Sequence, residues 1–572
     1  MLQPMLSSKR YAILAGIPAL GVLLTASAFA NVSLKNGNFF IGYTDLAYPG
    51  GIEPKVERVY NSKSSYNGIF GFGWGSDYEA YLKVSADGSV IAYENGGGAQ
   101  NRFSPPAINM AEIEQGVNAI LEAKRKIGGL SGTSMEAEKS RLKTDARYRN
   151  DEWARLFERG LVQPRSVAIG TELKSNKFSF QTIKRTKDGY LRSFDSGQVQ
   201  TFDDKGHLTR WTDKNGNFIA LGYDKIGNLA WLQDNFNRRV TFTVNGRGKV
   251  EKVTGEKGKE AVYAYNGDEL VSSKDTDGNV YAYRYSTNGR HNLVEIKYND
   301  AAPGHEATTL QLGYHDLSKC ENVKWVKDRD GTLTQYDYAG ECNGGMEHTT
   351  TTLTKGADGK EISKAKYSYF EKSRADGERY TYKLAAEVDG DRTETVYSEC
   401  CGLPIQITRN EMTTTFEYDK MGHVTKKATP YEVTELSYDP RANKVSKVMK
   451  YSKTGKAKKG VTWAQYEYDS KANLVAAKSS SGKSVKLVYD HVGRIKAMVD
   501  QDKRKLEFTY NEASRPIEIR DPALGVIKVE YSNTGEIRKV DSPGGRKIAT
   551  QVTSAFQNLL DIIRPAGVSL SF

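Results

Sequence analysis

Over most of the chain, apolar and polar residues alternate in short runs that Asp, Asn and Gly interrupt. The stretch KLVYDHVGRIKAMVDQDKRKLEFTY (486–510) shows the pattern. Residues 485–489 alternate polar and apolar, as a strand with one buried face does. Asp490 can accept hydrogen bonds from backbone groups two residues on, and Gly493 tolerates the positive φ of the turn that follows. Ile495 then opens a second strand, and DQDKRK supplies a second turn before Leu506. Each unit is a strand, a turn, a strand and a turn. Successive units are expected side by side in one continuous antiparallel sheet.

The unit repeats. Its anchor before the turn falls at Phe202, Tyr223, Val244, Tyr265 and Tyr285, at Tyr418 and Tyr438, and at Tyr468, Tyr489, Tyr510, Tyr531 and Val552. Steps within each run are about 20 residues, the register of a repeat protein. The fullest copies are Tyr223-Asp224 with Gly227, Tyr418-Asp419 with Gly422, and Tyr489-Asp490 with Gly493. In other copies Asn266, Ser286, Asn511 or Ser532 replaces the aspartate. Such exchange suits a turn and not a copied catalytic site. The tyrosines are expected to cover their neighbours' aromatic rings along the sheet. His207 and His423, each following a turn glycine, read as turn neighbours.

Two segments do not repeat. Residues 31–84 are strand-rich and crowded with glycine and aromatics. Residues 107–160 place apolar residues at helical spacing among charges, with a Gly-rich break, which predicts a helical hairpin. The expected organisation is a signal peptide (1–30), an N-terminal β module (31–106), a helical insertion (107–165) and a repeat sheet (166–572).

Lys9 and Arg10 precede an apolar run ending Ala28-Phe29-Ala30, the pattern of a cleaved secretory signal. The remainder holds no spanning segment, so an exported chain, periplasmic, surface-bound or secreted, is expected. The net charge of +12 comes from 82 basic and 70 acidic residues. It is spread out and gives no concentrated basic face for nucleic acid. Anionic polymers or surfaces are compatible partners. Cys320, Cys342, Cys400 and Cys401 suit disulfides in an oxidising compartment. Cross-pairing of Cys320 and Cys342 with the vicinal pair is expected, because a Cys400–Cys401 bond would strain the peptide between them. The spacing lacks the paired ligands of a zinc site. Neither H-E-x-x-H, G-x-S-x-G nor a phosphate-binding glycine loop is present, and the seven histidines are scattered. No metal, cofactor or catalytic residue is assigned.

The unit Y-D-x-x-G-x-(L/I/V) resembles the YD repeat of the bacterial RHS family. The stretches NGNFFIGYTDLAYPG, VERVYNSKSSYNGIFGFGWGSDYEAYL and ADGSVIAYENGGGAQNRF, with Gly71, Gly73 and Trp74, resemble the module that opens many RHS proteins. The resemblance covers about residues 31–106 and 170–572. It implies a mainly β fold, a sheet spiralling into a ring or partial hollow shell, often around a toxin. Asp521-Pro522 lacks the G-R-(F/Y) of the family's self-cleavage motif, and AFQNLLDIIRPAGVSLSF (555–572) reads as one more degenerate repeat. The function expected is a non-enzymatic scaffold that binds or partly encloses a glycan, a cell surface or a separately encoded polypeptide. The alternative is a toxin-delivery component whose effector is absent or separately encoded. At ~4.8 Å per strand, about 38 strands closed into one circle would measure ~60 Å across.

Overall fold

The computed structural model describes residues 31–541 except 49–51, 53, 95–98, 106–108, 129, 131, 164, 176–179, 300–307, 341, 343–344, 400–401, 454–458, 513, 522–524 and 532–536. The expected signal segment, Cys400, Cys401, Pro522 and the stretch 555–572 lie outside the described residues.

The chain is mainly β, as its alternation implies. One antiparallel ladder begins with Tyr81–Val84, Val90–Glu94 and Ala99–Ser104, passes to Glu172–Ser175, and continues hairpin by hairpin to Ile537–Asp541. The three starting strands belong to this ladder, although they fall within the segment expected to form the N-terminal module. A separate four-stranded sheet, in the order Asn31–Val32, Phe39–Ala47, Lys55–Asn61, Trp74–Ser76, forms the rest of that module.

The repeat residues act through the backbone. Asp224 Oδ1 accepts from the N–H groups of Ile226 and Asn228, while Oδ2 accepts from the Asn228 side chain. Asp419 treats Met421 and His423 in the same way, its second oxygen lying 2.8 Å from His423 Nδ1. Asp490 does so with Val492 and Arg494. His423 thus fills a slot that Asn or Arg fills elsewhere. Gly227, Gly422 and Gly493 have φ of 92°, 85° and 88°, where a side chain would be strained.

The tyrosines differ from expectation. Each hydroxyl donates to the backbone carbonyl of the aliphatic residue or proline that opens a strand one repeat earlier: Tyr223 to Leu208, Tyr418 to Pro404, Tyr489 to Leu474. Tyr265, Tyr285, Tyr438, Tyr510 and Tyr531 do likewise, and Tyr468 donates to Val445, the second residue of its strand. The contact is therefore a hydrogen bond between repeats, formed where a β-bulge frees the carbonyl. Tyr489→Phe is expected to cost about 1 kcal/mol, measured by chemical unfolding of the full chain; an unchanged midpoint would show that the hydroxyl contributes nothing.

The insertion folds as three helices, not a hairpin: α1 (Met110–Lys126), α2 (Thr133–Thr144) and α3 (Ala146–Glu158). Asp145 ends α2 with extended backbone, and its carboxylate accepts from the Tyr148 N–H, capping α3. The apolar faces close around Val117, Ile120, Leu142 and Leu156.

Cys320 pairs with Cys342, Cα–Cα 5.6 Å, which corrects the expected cross-pairing. The reason is periodic. The two cysteines are 22 residues apart, about one repeat, so they occupy equivalent loops of adjacent repeats on one rim of the sheet.

Candidate functional site

The ladder winds back onto itself along a seam of loops. The Lys214 ammonium donates to the Ala472 carbonyl (2.7 Å), the Asn473 amide to Asn215 Oδ1 (2.9 Å), and the Asn217 amide to the Val492 carbonyl (2.8 Å). Phe180 packs on His423, ring centroids 4.7 Å apart. Facing loops at 180 and 423 are separated by 21 strands, as are those at 214 and 472. At ~4.8 Å per strand one turn is about 100 Å around and about 32 Å across. This replaces the single ~60 Å circle: the sheet makes a narrower coil of more than one turn. Allowing about 10 Å for side chains lining opposite walls, the bore is about 20 Å.

The N-terminal module lies inside this bore. Tyr48 reaches the Glu256 N–H and the Arg238 guanidinium, while Lys35 reaches Thr381 and Glu371. These contacts span half a turn of wall, which a compact module meets only from the concave side. It also bridges both rims. The Thr276 N–H donates to the Asp45 carbonyl, and the Phe72 N–H to the Asp268 carbonyl on the opposite rim.

A buried charge pair fixes the module. Arg58 donates through Nε and Nη2 to Asp45 (2.6 and 3.1 Å) and through Nη2 to Ser273 (2.7 Å). The Tyr263 hydroxyl donates to the same carboxylate (2.8 Å). The guanidinium lies over the rings of Tyr43 and Trp74, 4.8 and 4.9 Å from their centroids. Burial pushes the Asp45 carboxyl up, with Arg58 opposing. Trp74, fully buried, donates from Nε1 to the Tyr285 hydroxyl (2.8 Å). Gly71 and Gly73 are needed for close approach. A Cβ on Gly71 would stand 2.7 Å from the Asp268 carbonyl oxygen, and one on Gly73 2.8 Å from the Tyr60 ring.

Glu79 is buried where the module meets the ladder. It accepts from the Ile69 N–H (2.9 Å), the Tyr66 hydroxyl (3.1 Å) and the Ser76 hydroxyl (3.2 Å). Burial raises its carboxyl to about 7, against these hydrogen bonds. The folded state therefore holds a proton that the unfolded chain releases between about pH 4.5 and 7, and this contribution to stability is lost as pH rises through that window. Glu79→Gln is expected to flatten the decline, worth roughly 3 kcal/mol, in melts at pH 5 and pH 7.5. Equal pH dependence in both chains would refute it.

Beyond the module the inner wall changes. Strands Glu347–Lys355, Glu361–Ser373, Arg379–Val388, Asp391–Tyr397, Pro404–Arg409 and Met412–Tyr418 lie between two packed cores, one reaching Val323 and another starting at Val445. Cross-strand register puts His348, Tyr369, Leu384, Thr395, Ile407 and Thr414 in one row. Tyr367 and Thr350 share that face, and the Thr350 hydroxyl donates to the module's Leu34 carbonyl, which identifies it as the inner one. Tyr367, Tyr369, Leu384, Tyr397, Ile407 and Phe416 are half-buried there. The outer face carries exposed Lys364, Lys366, Glu387 and Glu394. An outer cleft of about 710 Å³ is lined by Lys366, Glu387, Arg392 and Glu394, whose carboxylates pair with Arg392 and Lys383. The candidate site is the inner stripe, a surface of hydroxyls and rings bounded at one edge by Glu371, which is paired with the module's Lys35. Its signal in the sequence is the alternation in HTTTTLTK and KAKYSYF, which the irregular spacing of this region conceals.

An ion cluster ties this wall to the start of the ladder. Arg102 donates to Asp376 (2.7 Å) and Glu378 (3.2 Å) and pairs with Asp87. Arg149 of α3 donates to the carbonyls of Leu142 (2.8 Å) and Asp376 (3.0 Å) and lies 3.3 Å from Asp87. Against the desolvation of burial, Arg102 holds the Asp87 carboxyl well below the usual range. The Ala146 N–H donates to the Gly377 carbonyl. Among the described residues no three His, Cys, Asp or Glu side chains gather as metal ligands, and no helix is long and apolar enough to cross a membrane.

Residues 30–103 match a family model described as a domain of unknown function, DUF6531. Over 285 residues, 48% of this chain, the sequence is 24% identical to double-stranded DNA deaminase toxin A of Burkholderia cenocepacia, covering 17% of that protein. Among solved structures, the Photorhabdus luminescens Tc holotoxin pore aligns with 89% of this chain and 28% of its own, at 12% identity and a TM-score of 0.42. A TcdB2–TccC3 complex aligns with 94% and 29%, at the same identity and TM-score. The chain thus spans under a third of the length of these proteins.

Proposed function

We propose that this chain is an exported, non-enzymatic shell scaffold whose bore holds a length of polypeptide. The observation that carries the reading is the inner stripe of hydroxyls and rings around Tyr367 and Tyr369, half-open to a bore about 20 Å wide. A 100-residue folded domain has a radius of gyration of ≈ 13 Å, which corresponds to a sphere wider than the bore. A helix of ≈ 10–12 Å or an extended strand is narrow enough for the bore beyond the module. Tyrosine and threonine can hydrogen-bond a backbone without reading its sequence and without desolvating an ion.

A second reading is favoured by the relative named as a DNA deaminase toxin: the chain serves toxin delivery, with an effector encoded separately. Neighbouring open reading frames lacking any toxin and immunity pair would count against it.

The enclosure test places a photo-crosslinking residue at Tyr369, inside, or at Lys366, outside, in the full chain expressed in its own host. The expected result is a defined polypeptide adduct from position 369 and none from 366. Equal labelling at both positions, or none at either, would overturn enclosure. Export predicts a mature N-terminus at Asn31 in the extracytoplasmic fraction; an intact Met1 there would refute cleavage.

A further inference from the structure

The net charge, expected from the sequence to be spread out, is concentrated in one part of the coil. Residues 420–505 contain 20 basic and 8 acidic residues, an excess of 12, equal to the net charge of the whole chain. The remaining sequence balances at 62 of each. The excess therefore belongs to the second turn of the wall. Four successive strands there, Lys444–Ser452, Lys459–Tyr468, Leu474–Ser479 and Ser484–Tyr489, contain six lysines and a single carboxylate, Glu467.

Register sorts these residues by face. Lys447 stands opposite Gln465, which stands opposite Lys478. Lys478 faces Ser484, and Lys486 follows two residues on, facing Val499, which faces Lys505. Their neighbours on the other side, Val448, Ala464, Ala477, Val485 and Leu487, are buried in the inner core, so the lysine face is the outer one. Lys478 and Lys486 are exposed, and Lys447 is half-exposed. None of the three has an ion-pair partner among the described residues, whereas Lys505 pairs with Glu507. Trp463 faces Met449 on the same side, with Val461 at 41% and Val488 at 53% exposure nearby.

We propose that this outer face of the second turn docks the shell on an anionic lipid bilayer. Like charges on neighbouring strands repel, so three unpaired lysines on one face lower stability until an anionic surface neutralises them. Their apolar stems, together with a tryptophan and two exposed valines, make up a composition suited to the headgroup boundary, where Lys keeps its ammonium in water and Trp sits amphipathically. A soluble acidic chain would satisfy the charges but would leave Val461, Val488 and Trp463 without an apolar partner. The assignment is independent of what the bore contains.

The test is vesicle flotation of the full chain with phosphatidylglycerol–phosphatidylcholine (3:7) vesicles and with phosphatidylcholine alone, at low and high salt. Binding is expected to the anionic vesicles alone, to fall at high salt, and to drop at least tenfold in a Lys447→Gln/Lys478→Gln/Lys486→Gln variant with unchanged melting temperature. Should the triple variant fail to fold, Lys478→Gln alone is expected to weaken binding at least twofold. Trp463→Ser is expected to weaken it at fixed charge. Absence of binding to the anionic vesicles, or equal binding by the native and lysine-substituted chains, overturns the proposal. Retention on soluble polyglutamate without vesicle binding overturns it in favour of an acidic polymer.

Discussion

Arg58→Ala will destabilise the chain by about 3–5 kcal/mol, the cost of breaking a buried ion pair from one side. The substitution strips Asp45 of two charge-assisted hydrogen bonds, leaving a carboxylate of 1% exposure with the Tyr263 hydroxyl as its remaining close donor. It also removes the cation from among Tyr43, Trp74, Tyr263 and Tyr283. Because the pair joins the module to wall residue Ser273, the loss should extend beyond the module. Hydrogen exchange is expected to accelerate in Phe39–Ala47 and in the wall strands Glu269–Lys274 and Val280–Tyr285. Arg58→Ala/Asp45→Leu should recover part of the loss, since no charge is then stranded. A single substitution costing under 1 kcal/mol by chemical unfolding would show that the module is not held by this pair.

Arg149→Ala is the second large effect, about 2–5 kcal/mol for two buried carbonyls stripped of their donor, but its consequence is local. The guanidinium is fully buried and connects α3, the Asp87 turn and the tip of the longest hairpin at Asp376. Its loss leaves Asp87 with Arg102 and frees the Leu142 and Asp376 carbonyls. Exchange should rise in residues 374–378 and across α2 and α3, while the second-turn core around Leu487 and Met498 stays protected. Uniform loss of protection would mean that the helices belong to a global unfolding unit. Unchanged exchange at 374–378 would mean that the helices do not secure the hairpin.

The strand and turn rhythm is legible in the sequence because it is local. Asp490 bonds backbone N–H groups two and four residues on, and Gly493 takes a φ few other residues accept, so the code for the turn fits within five positions. Coil diameter is not legible. It depends on the accumulated bend of many strands and appears where successive turns meet, as at Lys214 and Ala472, 258 residues apart. The inner stripe is half-legible: the alternation of Tyr with Lys in KAKYSYF marks two faces, but which face looks inward is settled by Thr350 meeting Leu34. The third helix hides behind Asp145, which both ends α2 and starts α3. The disulfide is set by the repeat spacing that brings Cys320 beside Cys342, a constraint that peptide strain at residues 400 and 401 does not reveal.

The seam has a consequence for how such a wall can change length over generations. Most of its joints are loops built to one recipe, an aspartate followed three residues on by a residue at positive φ (Gly216, Gly422, Ala472, Gly493), and not a unique strand pairing. Duplicating or deleting one repeat between residues 218 and 412 would slide every later loop onto the next copy of the same recipe. The side chains offered across the joint would stay nearly the same and the girth would hold, while the wall grew or shrank by two strands, about 10 Å along the coil. Copy number can therefore drift without destroying closure. The features that cannot slide, the Arg58 pair and the Asp87–Arg149–Asp376 cluster, set where along the chain that drift is tolerated.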